Sequence, residues 1–212
     1  MKNIIDIRNL IEEDIFNYQQ LINCLQDYRK PRERITQFFK SGEIIRIKKG
    51  LYTFSEVLRK QPLCKELIAN LIYGPSYLSG EYALSYYGLI PERVTTLTSV
   101  TIERSKKYET PVGLFSYKKI INPLYPSGIK IEKVGKLSFL IASPEKALID
   151  KVWFDKSFHG LSTSDYKHYL ENDLRIDFER LKDIDLNHMR AIIKSCNRPK
   201  LIRLYNFIKT EI

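Results

Sequence analysis

The chain is short of the residues that most often carry chemistry or cross-links. Its 212 residues include three cysteines, three histidines, one tryptophan and nine glycines. Cys24, Cys64 and Cys196 are odd in number and far apart, which argues against a disulfide framework or a cysteine zinc site; small buried hydrophobes are the expectation. His159, His168 and His188 lack metal-ligand spacing. There is no glycine-rich phosphate loop and no nucleophile elbow. No apolar run approaches the roughly 20 residues that span a bilayer. Met1-Lys2-Asn3-Ile4-Ile5-Asp6 brings an acid too early for the apolar core of a secretory signal. The expectation is a soluble cytoplasmic protein with no metal, cofactor or membrane partner. An ordinary apolar fraction (43%) and charged fraction (28%) exclude wholesale disorder.

What the chain has is positive charge, a formal +10, and the charge is focused. Between Arg29 and Lys49 stand eight basic residues (Arg29, Lys30, Arg32, Arg34, Lys40, Arg46, Lys48, Lys49) against two acids, Glu33 and Glu43. Focused positive charge attracts phosphate polymers. A weaker cluster, Lys194, Arg198, Lys200, Arg203 and Lys209, lies near the end. It reads as a solvated helix first and as a second nucleic-acid surface second.

The hydrophobic period gives the order of elements. Ile4, Ile7, Leu10 and Ile11 have helical spacing. Asn17 and Gln20 suit a capping box for a helix carrying Leu21, Ile22 and Leu25. Pro31 opens a further helix with Ile35, Phe38 and Phe39 on one side, ending at Ser41-Gly42. Ile44–Lys48 and Leu51–Phe54 then read as strands joined by a tight Lys49-Gly50 turn. Three helices followed by a hairpin predict a winged helix-turn-helix over residues 1–58.

Residues 59–212 predict a second unit, so the fold class is α+β. A helix from Leu63 to about Tyr73 meets the Gly74-Pro75 break, and Ser79 opens a short helix closed by Gly88. Runs at Leu97–Ile102, Val112–Tyr117, Ile129–Val134 and Ser138–Ala142 suggest an antiparallel sheet. Ser143-Pro144-Glu145 starts a helix to about Phe154. Helices at Ser164–Glu171, Asn187–Ser195 and Arg198–Lys209 complete the chain.

With Ile35, Phe38 and Phe39 buried, 100° per residue turns Glu33, Thr36, Gln37 and Lys40 to the far side of the Pro31 helix, with Arg32 and Arg34 at its first turn. The second helix of a helix-turn-helix enters the major groove, where Gln suits adenine and Arg suits guanine. Lys48 and Lys49 would meet phosphates. Glu33 faces phosphates unfavourably and is expected to pair locally with Arg29 or Gln37. Tyr73, Tyr77, Tyr82, Tyr86 and Tyr87 could stack on bases, but their spacing fits packing better. Glu81, Glu103 and Glu132, and the triplet Asp165-Tyr166-Lys167, are the residues a metal-dependent nuclease would use. Nothing in their spacing compels that alternative, and an interaction module for an acidic protein is a third reading.

Three segments together resemble the AbiEi family of bacterial antitoxins: Gly42-Glu43-Ile44-Ile45-Arg46-Ile47-Lys48-Lys49-Gly50-Leu51-Tyr52, then Tyr77-Leu78-Ser79-Gly80-Glu81-Tyr82-Ala83-Leu84-Ser85-Tyr86-Tyr87-Gly88-Leu89, then Ala142-Ser143-Pro144-Glu145-Lys146-Ala147-Leu148-Ile149-Asp150. The resemblance runs from about Phe16 to Phe154. It implies a non-enzymatic, two-domain transcriptional repressor of abortive-infection phage defence, whose winged helix binds inverted repeats of double-stranded DNA in its own promoter. It further implies a C-terminal domain that counters a nucleotidyltransferase toxin, AbiEii, in a type IV toxin–antitoxin system without a stable complex. By position, the DNA-contacting elements fall on Arg32, Arg34, Gln37, Lys40, Arg46, Lys48 and Lys49. Ser79 and Ser143 would be helix caps, Gly88 a stop, and Ala83 and Ala147 close-packing positions.

Overall fold

Two reciprocal capping boxes fix the entry of the chain. In the computed structural model, which describes residues 3–211, the Asp6 N–H donates to the Asn3 side chain (3.0 Å) and the Asn3 N–H to Asp6 (2.7 Å), opening α1 (Ile4–Leu10). Asn17 and Gln20 make the same exchange at α2 (Tyr18–Cys24), at 2.8 and 2.9 Å. Between these helices lies β1 (Ile15–Asn17), a strand too short to show a period in the sequence. Next come α3 (Pro31–Lys40), β2 (Ile44–Lys48) and β3 (Leu51–Phe54), and the three strands form an antiparallel sheet in the order β1-β3-β2. Gly50, at φ +89°, supplies the left-handed conformation that the turn requires.

This small sheet is buried on both faces. Phe16, Ile44, Tyr52 and Phe54 join Ile7, Leu21, Leu25, Ile35 and Phe38 in one core. Ile47 and Leu51 belong instead to the larger core formed by the rest of the chain, against which Ile15 also packs. The connecting segment is held as well. The Arg8 guanidinium lies 2.6 Å from Asp14, and the Asp14 carboxylate accepts the N–H groups of Lys60 (3.0 Å) and Gln61 (3.2 Å). Arg8 also donates to the Leu58 carbonyl at 2.8 Å and covers the Phe54 ring.

After α4 (Lys65–Ile72) the chain builds six strands: β4 (Ser76–Leu78), β5 (Leu97–Thr101), β6 (Lys106–Thr110), β7 (Gly113–Lys119), β8 (Ile129–Val134) and β9 (Leu137–Ala142). Their order is β6-β7-β5-β4-β9-β8. The α+β class holds, but the sheet is mixed and not antiparallel: β4 runs parallel to β9, and β5 parallel to β7. The reason is the two strands missing from the sequence reading. β6 occupies the edge and turns back into β7, which then lies beside β5 in the same direction. β4 enters the centre between β5 and β9.

Helix α5 (Gly80–Tyr86) follows β4, and α6 (Pro144–Phe154) follows β9. Ser143 caps α6 by accepting the Lys146 N–H, as its sequence suggests. Ser79 does not act as a side-chain cap: its hydroxyl donates to Asp150 at 2.7 Å. The Tyr77 hydroxyl donates to the same carboxylate oxygen at 3.0 Å, and the Lys146 ammonium reaches the other oxygen at 2.6 Å and the Leu124 carbonyl at 2.8 Å. This polar group sits wholly inside the apolar core of α6, where each member would be costly without its partners.

The remaining helices are α7 (Thr163–His168), continuing into a π-helical turn at Tyr169–Asp173, then α8 (Phe178–Leu181), α9 (Leu186–Lys194) and α10 (Pro199–Glu211). They cover α6 with Met189, Ile192, Leu201, Leu204 and Phe207. Of the cysteines, Cys64 is buried, and Cys24 and Cys196 are half-buried. Among the described residues no helix is long and apolar enough to cross a membrane.

Candidate nucleic-acid interface

Helix α3 has the two faces its spacing requires. Ile35 and Phe38 are buried, at about 1.5–3 kcal/mol each. Phe39 stacks on Tyr52 of β3, centroids 5.3 Å apart. Arg32, Glu33, Thr36, Gln37 and Lys40 stand exposed on the other side. The helix is therefore anchored by its apolar stripe while a polar stripe faces solvent.

That polar stripe is partly ordered by its own contacts. Arg34 is half-buried, its guanidinium 4.5 Å from the centroid of the Phe38 ring and hydrogen-bonded to the Gln37 side-chain oxygen at 2.8 Å. Gln37, itself exposed, thus has its side-chain oxygen engaged by Arg34. The Thr36 hydroxyl donates to the Arg32 carbonyl at 2.9 Å. Glu33 pairs with Lys30 at 2.8 Å, in place of the expected Arg29 or Gln37, and both side chains are about two-thirds exposed. Such a pair contributes little to stability and yields readily to a phosphate. Arg29, Lys30, Glu33, Arg34 and Gln37 share the lining of a shallow cleft of about 600 Å³ at the N-terminal end of α3.

The hairpin adds some of the expected residues and withholds one. Arg46 is exposed and lies opposite Tyr52 in the β2–β3 ladder, hence on the sheet face that carries α3. Lys49 is exposed at the turn. Lys48 is half-buried, and its ammonium donates to the Ile72 carbonyl at the end of α4. Placed there, it ties the hairpin to the second core, its ammonium is taken up by that carbonyl and not left for the phosphate contact expected of it, and Arg46 and Lys49 are the exposed cations of the hairpin.

The C-terminal basic residues do not form one surface. Lys200 donates to the Asp155 carbonyl at 2.6 Å and sits over Phe158, and Arg203 donates to the Gly160 carbonyl at 3.1 Å. Arg198 lies over Trp153. Lys200 and Arg203 thus brace the segment that follows α6, and Arg198 covers the last turn of α6 itself. Lys194 and Lys209 lie elsewhere, in a cleft between α9 and α10 that also takes in Arg190.

The carboxylates of the nuclease alternative lie on separate elements: Glu103 is exposed after β5 and Glu132 is half-buried on β8. Glu81 pairs with Lys151 at 2.7 Å. Asp165 accepts the N–H groups of Leu161 and Ser162 at the start of α7. Among the described residues no group of three or more His, Cys, Asp or Glu side chains is arranged to hold a metal ion. The tyrosines act mainly in packing: Tyr77 is buried and Tyr82 bonds Glu66, while Tyr86 is the most exposed of them and contacts Phe139 edge-on. Burial raises the Tyr87 hydroxyl well above its ordinary range.

Neither family models nor curated proteins give a match to this chain. Among solved structures, the crystal structure of the RV2827C protein from Mycobacterium tuberculosis is similar, with a TM-score of 0.60 at 12% identity, covering 98% of this chain and 75% of that one. The likeness is one of fold.

Proposed function

We propose that this chain is a sequence-selective, duplex-DNA-binding autorepressor whose N-terminal unit is a winged helix-turn-helix. The observation that carries the reading is the element order α1-β1-α2-α3-β2-β3 with sheet order β1-β3-β2. In such a unit α3 is the recognition helix and the β2–β3 hairpin is the wing. Arg32, Gln37 and the Arg34 beside it are the base-reading candidates, and Arg29, Lys30, Lys40, Arg46 and Lys49 the phosphate contacts.

The resemblance of residues 42–52, 77–89 and 142–150 to AbiEi antitoxins supports a second part of the reading: the chain neutralises a nucleotidyltransferase toxin without a stable complex. The burial of Tyr77, Ser79, Lys146 and Asp150 in one hydrogen-bonded group gives two of those segments a shared structural role. In this reading the protein itself is not an enzyme, uses no cofactor and works in the cytoplasm.

Selection of duplexes from a random pool, followed by a reporter fused to the gene's own promoter, tests the proposal. An inverted repeat should emerge, occur in that promoter and mediate repression. Recovery of unrelated sequences with no repression would refute it. Co-expression with the neighbouring nucleotidyltransferase should restore growth without co-purification of the two proteins.

A further inference from the structure

The cleft between α9 and α10 is a second built feature that the DNA-binding reading leaves unused. It has a volume of about 720 Å³ and lies far along the chain from α3. Its cations come from both helices: Arg190 and Lys194, one turn apart on α9, and Lys209 on α10. All three are exposed, and among the described residues none has an ion-pair partner. Among the described residues no acid lines the cleft. Unbalanced positive charge in a concavity concentrates anions there.

The rest of the lining narrows the kind of anion. Tyr205 and Ile202, three residues apart on α10, present a ring and an aliphatic surface inside the cleft. The side-chain amides of Asn187, Asn197 and Asn206 add both donors and acceptors. A carboxylate-rich peptide would need donors only. A duplex would present phosphates but no free base face for Tyr205. A single strand offers all three matching elements: phosphates for the cations, a π-face for Tyr205 and base edges for the amides. The spacing of Arg190 and Lys194, about 6 Å along the axis for four residues at 1.5 Å rise, suits neighbouring phosphates of one strand.

We propose that the α9–α10 cleft binds single-stranded nucleic acid, independently of the α3 interface. Nothing in the inference requires the winged-helix reading, and the two can fail separately.

The test is fluorescence anisotropy of the full chain with labelled oligouridylate, oligodeoxythymidylate and a duplex. Arg190→Glu with Lys194→Glu should weaken single-strand binding roughly tenfold or more and flatten its salt dependence. Tyr205→Ala should cost roughly five- to hundredfold, the range for loss of one stacked base, while Tyr205→Phe stays within about twofold of the native chain. Duplex affinity should be unchanged in all three variants. Preference of the native chain for the uridylate over the thymidylate would assign RNA, and equal binding would assign the backbone and base faces common to both. The proposal is overturned if the native chain binds neither strand, if the charge reversal leaves single-strand affinity intact, or if duplex and single-strand binding fall together. Arg190 and Lys194 are exposed, so circular dichroism should show native folding of the reversal variant.

Discussion

The Lys146 ammonium lies 2.6 Å from the Asp150 carboxylate, and both side chains are completely excluded from solvent. Burial pushes the lysine's pKa down and the aspartate's up, and each partner opposes that for the other. Removing one member strands a buried charge, which costs about 3–5 kcal/mol. Lys146→Met should therefore lower Tm by roughly 6–20 °C, at about 2–4 °C per kcal/mol for a chain of this size. The double variant Lys146→Met with Asp150→Leu should recover part of the loss, since no charge remains buried, although the Tyr77 and Ser79 hydroxyls lose their acceptor. Calorimetry that finds the double variant less stable than Lys146→Met would contradict this account of the pair.

Asp14 holds the segment between the two cores through Arg8 and the N–H groups of Lys60 and Gln61. In Asp14→Ala those donors lose their acceptor and the segment is released. Trypsin should then cut after Lys60 much faster than in the native chain, an outcome read by mass spectrometry of the early fragments. Equal cleavage rates would mean that packing alone holds this segment.

Asp155 gives the fold an acid-sensitive point. Partial burial favours its neutral form, but the Ser157 and Tyr169 hydroxyls, the Phe158 N–H and Lys151 outweigh that and hold the carboxyl at about 2. The unfolded reference is about 3.9. A depressed folded value means that the carboxylate stabilises the fold above about pH 4 and that this contribution fades as pH falls towards 2. Asp155→Asn should accordingly be less stable than the native chain at neutral pH and should close the gap between about pH 4 and pH 2. Denaturant titrations across that window check the sign, and a gap that widens on acidification would reverse it.

Arg34 and Gln37 are coupled by a hydrogen bond of 2.8 Å on the exposed face of α3. If Gln37 reads a base, Gln37→Ala should erode sequence discrimination by about 1–3 kcal/mol at one position while leaving non-specific affinity nearly unchanged. Arg34→Lys keeps the charge but loses the planar group over Phe38, and it should erode discrimination at the same position. Competition between a selected site and its single-base variants measures both. Unaltered discrimination in Gln37→Ala would remove this residue from base reading.

Much of the local structure was legible. The two faces of α3, the Asn17–Gln20 box, the Lys49-Gly50 turn and the Ser143-Pro144 start of α6 all follow from short-range chemistry, and β8 has the bounds its alternation indicates. Three strands were hidden for identifiable reasons. β1 and β4 have three residues each, fewer than a period needs to show. β6 (Lys-Lys-Tyr-Glu-Thr) carries the charges of a protected sheet edge, and so it resembles a loop. The larger misreadings are tertiary. Lys48 meets a carbonyl 24 residues away and Ser79 a carboxylate 71 residues away, and no local rule anticipates either. The Lys146–Asp150 pair did leave a signal, opposite charges four apart flanking the apolar run Ala147-Leu148-Ile149. The C-terminal cations were seen as one cluster because they are close in sequence, whereas α10 divides them between bracing contacts and an open cleft.

The most direct test of the central claim, that the exposed cations of α3 and the hairpin meet a DNA duplex, is the salt dependence of binding for the native chain and for Lys40→Glu with Lys49→Glu. Each phosphate contact adds about 0.9 to the slope of log K against log salt. Loss of two contacts should lower the slope by about 2 and the affinity by roughly tenfold or more, with single-strand binding at the α9–α10 cleft retained. An unchanged slope and affinity in the double reversal would show that this face does not touch the duplex.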